Sequence, residues 1–405
     1  MPLSFFLTLA IVFFAYVGGW LLAGFRARQQ QRALSSHARY FGWFCALCAV
    51  MSAGILLLGV WILPVAPLVL DYGLPLAAFS GAFAAALLVS PVFPAQRNVE
   101  RLIVLLLKAS AVVALVTTIF IILSLAFETG RFFSFDDVDT LQFFIGTDWS
   151  AQTASAFGAV PLFFGTFFVA FLAIAFAGPI GLYSAVYLSE YASDRTRRIA
   201  RPMLEVLAGI PTVVYGFFAV LFVGPLIQDL GNLINTIARP LTGEDDLIRS
   251  QPRSALAAGL VMAIMILPLI SSLSHDVLRT VPAKLRNGAL GLGATQAEMM
   301  KHIVLPAALP GLMAVFLLAI SRAIGETMIV AMALGERANI TLNPFDDMTT
   351  VTVQIVSLLT GDPEFDGPRS LSAFALGAVL FVLTLGCNMV AQLIVDKQRL
   401  RHGKL

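Results

Sequence analysis

Charge is the scarcest commodity in this sequence. Only 12% of its 405 residues are Asp, Glu, Lys or Arg, while 59% are hydrophobic. A soluble globular chain carries about 25% charged residues, so an ordinary water-soluble enzyme of this length is excluded. Disorder, which requires low hydrophobicity, is excluded too. The mean hydropathy of +0.88 places the chain among integral membrane proteins. Residues that build catalytic and metal sites are equally sparse. Three cysteines cannot form a disulfide framework. Cys45 and Cys48 make a C-x-x-C, but inside an apolar stretch, where they read as small packing residues. The four histidines (His37, His275, His302, His402) are scattered near expected helix ends. No H-E-x-x-H, no G-x-x-x-x-G-K-[ST] and no G-x-S-x-G occurs. The chain thus carries no evident ATPase or hydrolase of its own and implies no cofactor or metal. A net charge of +2 gives no reason to expect nucleic acid.

What is abundant is apolar sequence in long runs. A spanning helix needs roughly 20 apolar residues. Leu3 to Gly24 satisfies this, and its basic residues follow rather than precede it, so it reads as a span rather than a secretory leader. Tyr40 to Leu63 and Leu74 to Pro91 form a hairpin around Pro64, Pro67, Asp71, Gly73 and Pro75. Leu102 to Phe127 is a fourth span, with Lys108 placed to snorkel. A fifth lies within the uncharged run Trp149 to Ser189, whose beginning is expected to be irregular. Met203 to Ile227, Ala255 to Leu273, Val304 to Leu334 and Leu371 to Val395 complete nine. Trp20, Trp43, Trp61, Tyr187 and Tyr191 fall at span ends, as interfacial belts do.

If the N-terminus lies outside, the inner connections hold eighteen Lys and Arg and the outer ones six (Arg131, Arg239, Arg249, Arg253, Arg337, Arg369). That bias fits the positive-inside rule and leaves the C-terminus inside. Most acids, including Asp136, Asp137, Asp139, Glu244, Asp245, Asp246, Asp346 and Asp347, fall in the outer loops. The early spans have short connections, whereas the later ones have long loops and internal charge. The expected division is an accessory bundle of about four helices over 1–127, an outer connection over 128–157, a working core over 158–395 and an inner tail over 396–405.

One inner segment, Ser274 to Pro306, is too polar to span and too patterned for a plain loop. Pro282 suits a first helical turn, Ala283 to Leu290 can form two turns, and Gly291 and Gly293 break them. Thr295-x-x-Glu298 is a capping box opening a second short helix. The result is a knob whose apolar side chains, Leu285, Leu290, Leu292 and Met299, seek either a partner groove or lipid.

This segment resembles the signature loop of ABC-importer membrane subunits: Glu-Ala-Ala, three residues, Gly, nine residues, Ile-x-Leu-Pro. The matching positions are Asn287-Gly288-Ala289, Gly293 and Ile303-Val304-Leu305-Pro306, with Asn287 and Gly288 departing from Glu and Ala. Leu204 to Gly216 and Ser321 to Val330 are similar to the phosphate-importer permeases. Met328-Ile329-Val330 and Thr350 to Ile355 look like the PstC-type subunit rather than its PstA-type partner. The resemblance covers about residues 158–395. It implies the transmembrane fold of a type I ABC importer and a role as permease subunit, not enzyme. The implied partners are a PstA-type permease, a cytoplasmic PstB-type ATPase dimer, a periplasmic PstS-type phosphate-binding protein, phosphate and the bacterial inner-membrane bilayer. Asn287, Gly288, Ala289, Gly293, Ile303, Leu305 and Pro306 are then the ATPase-coupling residues.

Glu205, Arg322 and Glu326 fall within expected spans. Such charges cost about 2.5–3.5 kcal/mol at the bilayer centre and face the bundle interior or water. Arg322 and Glu326 are four apart and share a helical face. Two readings stay open. Arg322 lines an anion path, its guanidinium matching oxyanion oxygens, with Glu326 holding it between passages; or the pair only fixes helix register. Glu205 suits a structural hydrogen bond. Gly209-Ile210-Pro211 and Pro268 are expected to kink their helices, a geometry suited to a gate. Ser189 to Arg198 reads as a contact with anionic lipid or with the ATPase. A permease for another oxyanion or small solute, or a stand-alone channel or intramembrane enzyme, are the alternatives to phosphate import.

Overall fold

The computed structural model describes residues 2–29, 37–62, 67–89, 94–151, 156–242, 249–361 and 367–402. Arg32, Pro64, Glu244, Asp245 and Asp246 lie outside these residues. Among the described residues the fold is all-α apart from one hairpin of two-residue strands, β1 (Trp149–Ser150) with β2 (Ala156–Phe157). The chain forms two compact units, Met1–Ile121 and Ile122–Leu405. Among the described residues, seven helices are long and apolar enough to cross a membrane, with shorter apolar helices at Gly73–Leu88 and Val351–Thr360.

The first unit is built from α1 (Pro2–Gln29), α2 (Ala38–Ile62), α3 (Pro67–Leu88) and the start of α4 (Ala95–Phe132). Its helices approach through small residues, as membrane helices do. A Cβ on Gly19 would lie 2.8 Å from both Cys45 Sγ and the Phe41 carbonyl. Cys45 is therefore buried packing, in keeping with its apolar context. Arg26 donates to the carbonyls of Ala86 and Val89, closing the orphan end of α3.

The second unit continues from the end of α4 through α5 (Thr140–Ile145), α6 (Val160–Val186), α7 (Asp194–Ala208), α8 (Thr212–Phe218), α9 (Gly224–Thr242), α10 (Ala255–Thr280), α11 (Ala283–Gly291), α12 (Gln296–Met299), α13 (Leu305–Ile324), α14 (Met328–Ala333), α15 (Val351–Gly361) and α16 (Pro368–His402). The start of the Trp149–Ser189 run is irregular, as expected, and α6 begins only at Val160. Its core is the α6–α10 pair. Gly181 and Gly259 let these helices close: a Cβ at either would stand 2.8 Å from Ile270 Cγ2 or Leu172 Cβ. Val169, Ala173, Ala177, Val261, Ile266 and Ile270 fill the seam.

Two expectations are corrected. Met203 to Ile227 is not one kinked span: the helix is broken outright, α7 ending at Ala208 and α8 starting at Thr212, with Pro211 as its N-cap. Pro211 has no N–H to continue the ladder, and Gly209 takes the C-cap. Pro268, by contrast, sits inside a continuous α10. Val304 to Leu334 is likewise two helices, α13 and α14. The tail is also helical through His402, as the end of α16; residues 403–405 lie outside the described residues.

Candidate functional site

The knob between α10 and α13 has the geometry its residues dictate. Val281 caps α10, and Pro282 is the N-cap of α11, one position before the expected first turn. At the other end α11 closes in a Schellman arrangement. Gly293 N–H donates to Leu290 O at 3.0 Å and Ala294 N–H to Ala289 O at 3.1 Å. This closure requires a left-handed residue, and Gly293 has φ +87°. Thr295 and Glu298 then form the capping box: Thr295 N–H donates to Glu298 Oε2 at 2.9 Å and Glu298 N–H to Thr295 Oγ1 at 3.3 Å. A π-turn over Met300–Val304 leads into α13.

The signature positions divide by exposure. Ala289 is buried beside Val281, Met299, Met300 and Val304, whereas Asn287, Gly288, Gly293 and Pro306 are exposed and Ile303 and Leu305 are half-buried. Leu285, Leu290 and Leu292 present apolar surface outward, Leu292 at 91% exposure. Met299 does not join them; it is 2% exposed and anchors the knob from within. The capping box turns α12 so that Met299 faces the core.

Two residues that the motif reading passed over hold the knob in place. Glu190, in the π-turn Tyr187–Tyr191 at the end of α6, pairs with Arg286 of α11. Arg286 Nη2 also donates to Leu278 O at 2.5 Å. Burial lowers the Arg286 pKa from its ordinary value, yet a guanidinium keeps its charge in proteins. No local pattern marks this pair, because its members are 96 positions apart.

Arg322 and Glu326 do not share a helix. Gly325 ends α13, and Glu326 turns away to accept from Met328 N–H at 3.1 Å and Ile329 N–H at 3.3 Å. Glu326 thus caps α14, and its carbonyl accepts from Thr352 Oγ1 at 2.8 Å. Among the described residues no ion pair joins it to Arg322. The arginine is exposed at the far end of α13 from the knob, about 25 Å along the axis from Leu305. Its Nε lies 3.5 Å from Met265 Sδ of α10. Among the described residues this sulfur is the hydrogen-bond partner recorded for the Arg322 side chain, which is otherwise exposed at the end of an apolar helix.

Glu205 is not within a span. It lies on α7, with its side chain 66% exposed and 3.8 Å from Arg201. Arg201 also reaches Asp276 of α10 at 3.3 Å. The break after α7 is bridged by Tyr215, whose hydroxyl donates to Leu207 O at 2.9 Å. Helices α8 and α14, each following a break, pack on one another, with Gly216 against Met332. Arg197 donates to the carbonyl of Leu188 at 2.9 Å, so this part of Ser189 to Arg198 finishes α6 rather than facing outward.

A family model described as the binding-protein-dependent transport system inner membrane component matches residues 177–400. The chain is 32% identical over 265 residues to the phosphate transport system permease protein PstC of Mesorhizobium japonicum, covering 64% of this chain and 80% of the relative. It is 30% identical over 292 residues to PstC of Pasteurella multocida, covering 71% and 90%. It is 28% identical over 281 residues to the probable ABC transporter permease protein YqgH of Bacillus subtilis, covering 69% and 85%. The chain belongs to the binding-protein-dependent transport system inner membrane component family, and it is a multi-pass membrane protein.

Proposed function

We propose that this family member is the PstC-like permease subunit of an ATP-driven phosphate importer. The knob between α10 and α13 carries the coupling half of this reading. It is a preformed, doubly capped hairpin that shows Leu285, Leu290 and Leu292 to a partner. Those side chains, with Asn287, Gly288 and Gly293 at the surface, suit the groove of a cytoplasmic PstB-type ATPase. The substrate half rests on relatives whose names include phosphate transport.

A PstA-type permease supplies the second wall of the path and a PstS-type protein delivers phosphate from outside. In this arrangement the exposed guanidinium of Arg322 faces the path, and Glu326 shapes it indirectly by holding the start of α14. The knob and the C-terminus are cytoplasmic and the N-terminus is external, as the distribution of Lys and Arg indicates. The helices of 1–127 form an accessory bundle. ATP hydrolysis belongs to the partner chain, and this chain provides path and coupling.

The test is uptake of radiolabelled phosphate and sulfate by the complex reconstituted in vesicles, with ATP and the binding protein supplied on opposite sides. ATP-dependent phosphate uptake that excess sulfate does not compete is expected. Uptake of sulfate at an equal rate would overturn the substrate assignment, and uptake independent of ATP would overturn the importer itself.

A further inference from the structure

The knob is tied to the membrane helices by a small polar junction. Glu190 and Arg286 are both largely buried, their side chains 10% and 16% exposed. Arg286 donates in addition to the last turn of α10 through Leu278 O at 2.5 Å. The main-chain carbonyl of Glu190 accepts from Gln296 Nε2 of α12 at 2.8 Å. Two residues therefore join the ends of α6 and α10 to both arms of the knob. Exposed ion pairs such as Arg201–Asp276 contribute little positional restraint. A buried pair that is also hydrogen-bonded is costly to break, because each partner is then left as an uncompensated charge.

The apolar contacts beneath the knob anchor it without the directional preference of a hydrogen bond. Ala289, Met299 and Val304 pack against Ala185 and Leu278, and such surfaces are non-directional. An ion pair with a defined acceptor carbonyl fixes the azimuth of α11. The helices it fixes are the same two that pack most intimately in the unit, with Gly181 against Ile270 and Gly259 against Leu172.

Building on the importer reading, we propose that Glu190 and Arg286 form a coupling clamp. As positioning residues, they make the knob and the α6–α10 pair one lever. Motion of the ATPase is then delivered to the spans rather than absorbed by a knob that swivels on its apolar base.

The test uses the full reconstituted complex with phosphate-loaded binding protein. Phosphate uptake and ATP hydrolysis are measured in the same vesicles and normalised to assembled complex. Glu190→Gln and Arg286→Gln should each lower phosphate moved per ATP by at least about threefold, the size expected when one member of a coupled pair is lost. ATP hydrolysis should persist. Gln296→Ala, which removes only an exposed strut, should lower the same ratio by less. The double variant Glu190→Leu with Arg286→Met leaves no uncompensated buried charge; it should assemble and still couple poorly. This variant decides the matter if the single ones do not assemble. A wild-type ratio in the double variant, or in both single variants, overturns the clamp. Absence of ATP-driven phosphate uptake in the wild-type complex would instead overturn the importer reading.

Discussion

Gly293 offers the sharpest perturbation, because its environment isolates one physical effect. Apart from its chain neighbours, no atom of the described residues stands within 4 Å of where a Cβ would be built, so a Cβ there meets no steric obstacle. Its φ of +87° is nevertheless a region that L residues rarely adopt. The cost of substitution is thus backbone strain alone, roughly 1–2 kcal/mol for Ala and more for a β-branched residue. Asn, which tolerates the left-handed region, should cost less. An energy of 1–2 kcal/mol is a factor of about 5–30 in a two-state population. The docked shape of the knob should therefore become less populated in the order Gly, Asn, Ala, Val.

Gly291 supplies the control. It also has open space at its Cβ position, but it lies at the helical end of α11 without a positive φ. Gly291→Ala should gain helix propensity, up to about 1 kcal/mol, and leave coupling intact. The assay is ATP-dependent phosphate uptake together with binding-protein-stimulated ATP hydrolysis, per assembled complex. The graded loss across Gly293→Asn, Gly293→Ala and Gly293→Val is the expected signature. Equal coupling in Gly293→Val and wild type, or equal damage from Gly291→Ala and Gly293→Ala, would refute the reasoning.

Three further outcomes are expected. Arg322→Lys should lower uptake about tenfold through loss of charge-assisted hydrogen bonding worth roughly 1.5 kcal/mol, and pairing it with Glu326→Ala should give no rescue, since the two side chains do not form an ion pair; rescue in the double-mutant cycle would make them a register device. An impermeant thiol reagent on intact spheroplasts should label a cysteine placed near Ser4 but not one near Gln296, and the reverse pattern would reject the orientation. The Asp347 pKa is raised from its ordinary value first by burial and then by hydrogen bonding to, and the charge of, Asp346, with Arg337 and Arg249 pulling it back. Its stabilising contribution is therefore present below the unfolded pKa and lost as pH rises through the folded one; Asp347→Asn should raise the melting temperature of detergent-purified complex more near pH 7 than near pH 4, and an equal gain at both would count against it.

Local chemistry was legible wherever it is written in neighbouring residues. The capping box at Thr295 and Glu298, the turn at Gly293 and the apolar faces at Leu285, Leu290 and Leu292 follow from spacing alone, because each involves contacts within a turn or two. Burial of Met299 was not legible, since the face of a one-turn helix depends on what lies beneath it. Apolar length located the spans but hid their interruptions. Hydropathy alone makes Gly209-Ile210-Pro211 a kink, because it is blind to a missing backbone donor. With Gly209 available as a C-cap and Pro211 as an N-cap, the helix ends and restarts. The strongly amphipathic α7 was thereby absorbed into a span, and Glu205 was carried with it.

The same blindness shaped the reading of the charges. A spacing of four placed Arg322 and Glu326 on one face only if the helix ran through Gly325. The helix stops there, and Glu326 spends its carboxylate on the two free N–H groups at the start of α14. Ending α13 removes the expected neutralising partner and leaves Arg322 exposed, so this break strengthens the case for an anion contact while taking Glu326 out of it. The acid absent at Asn287 has an opposite history. The signature places a carboxylate at 287, whereas here, besides Glu298 of the capping box, the knob is met by the carboxylate of Glu190 at the end of α6, which pairs with the preceding residue, Arg286. A one-dimensional motif records the loss at 287 but cannot record a contact with a partner 96 positions earlier. In a chain this poor in charge, each ionised group not at a surface must have a partner or a task. Glu190 and Arg286 have each other, Glu326 has a helix end, and Arg322, exposed beside Met265 Sδ, has the anion-path task proposed for it.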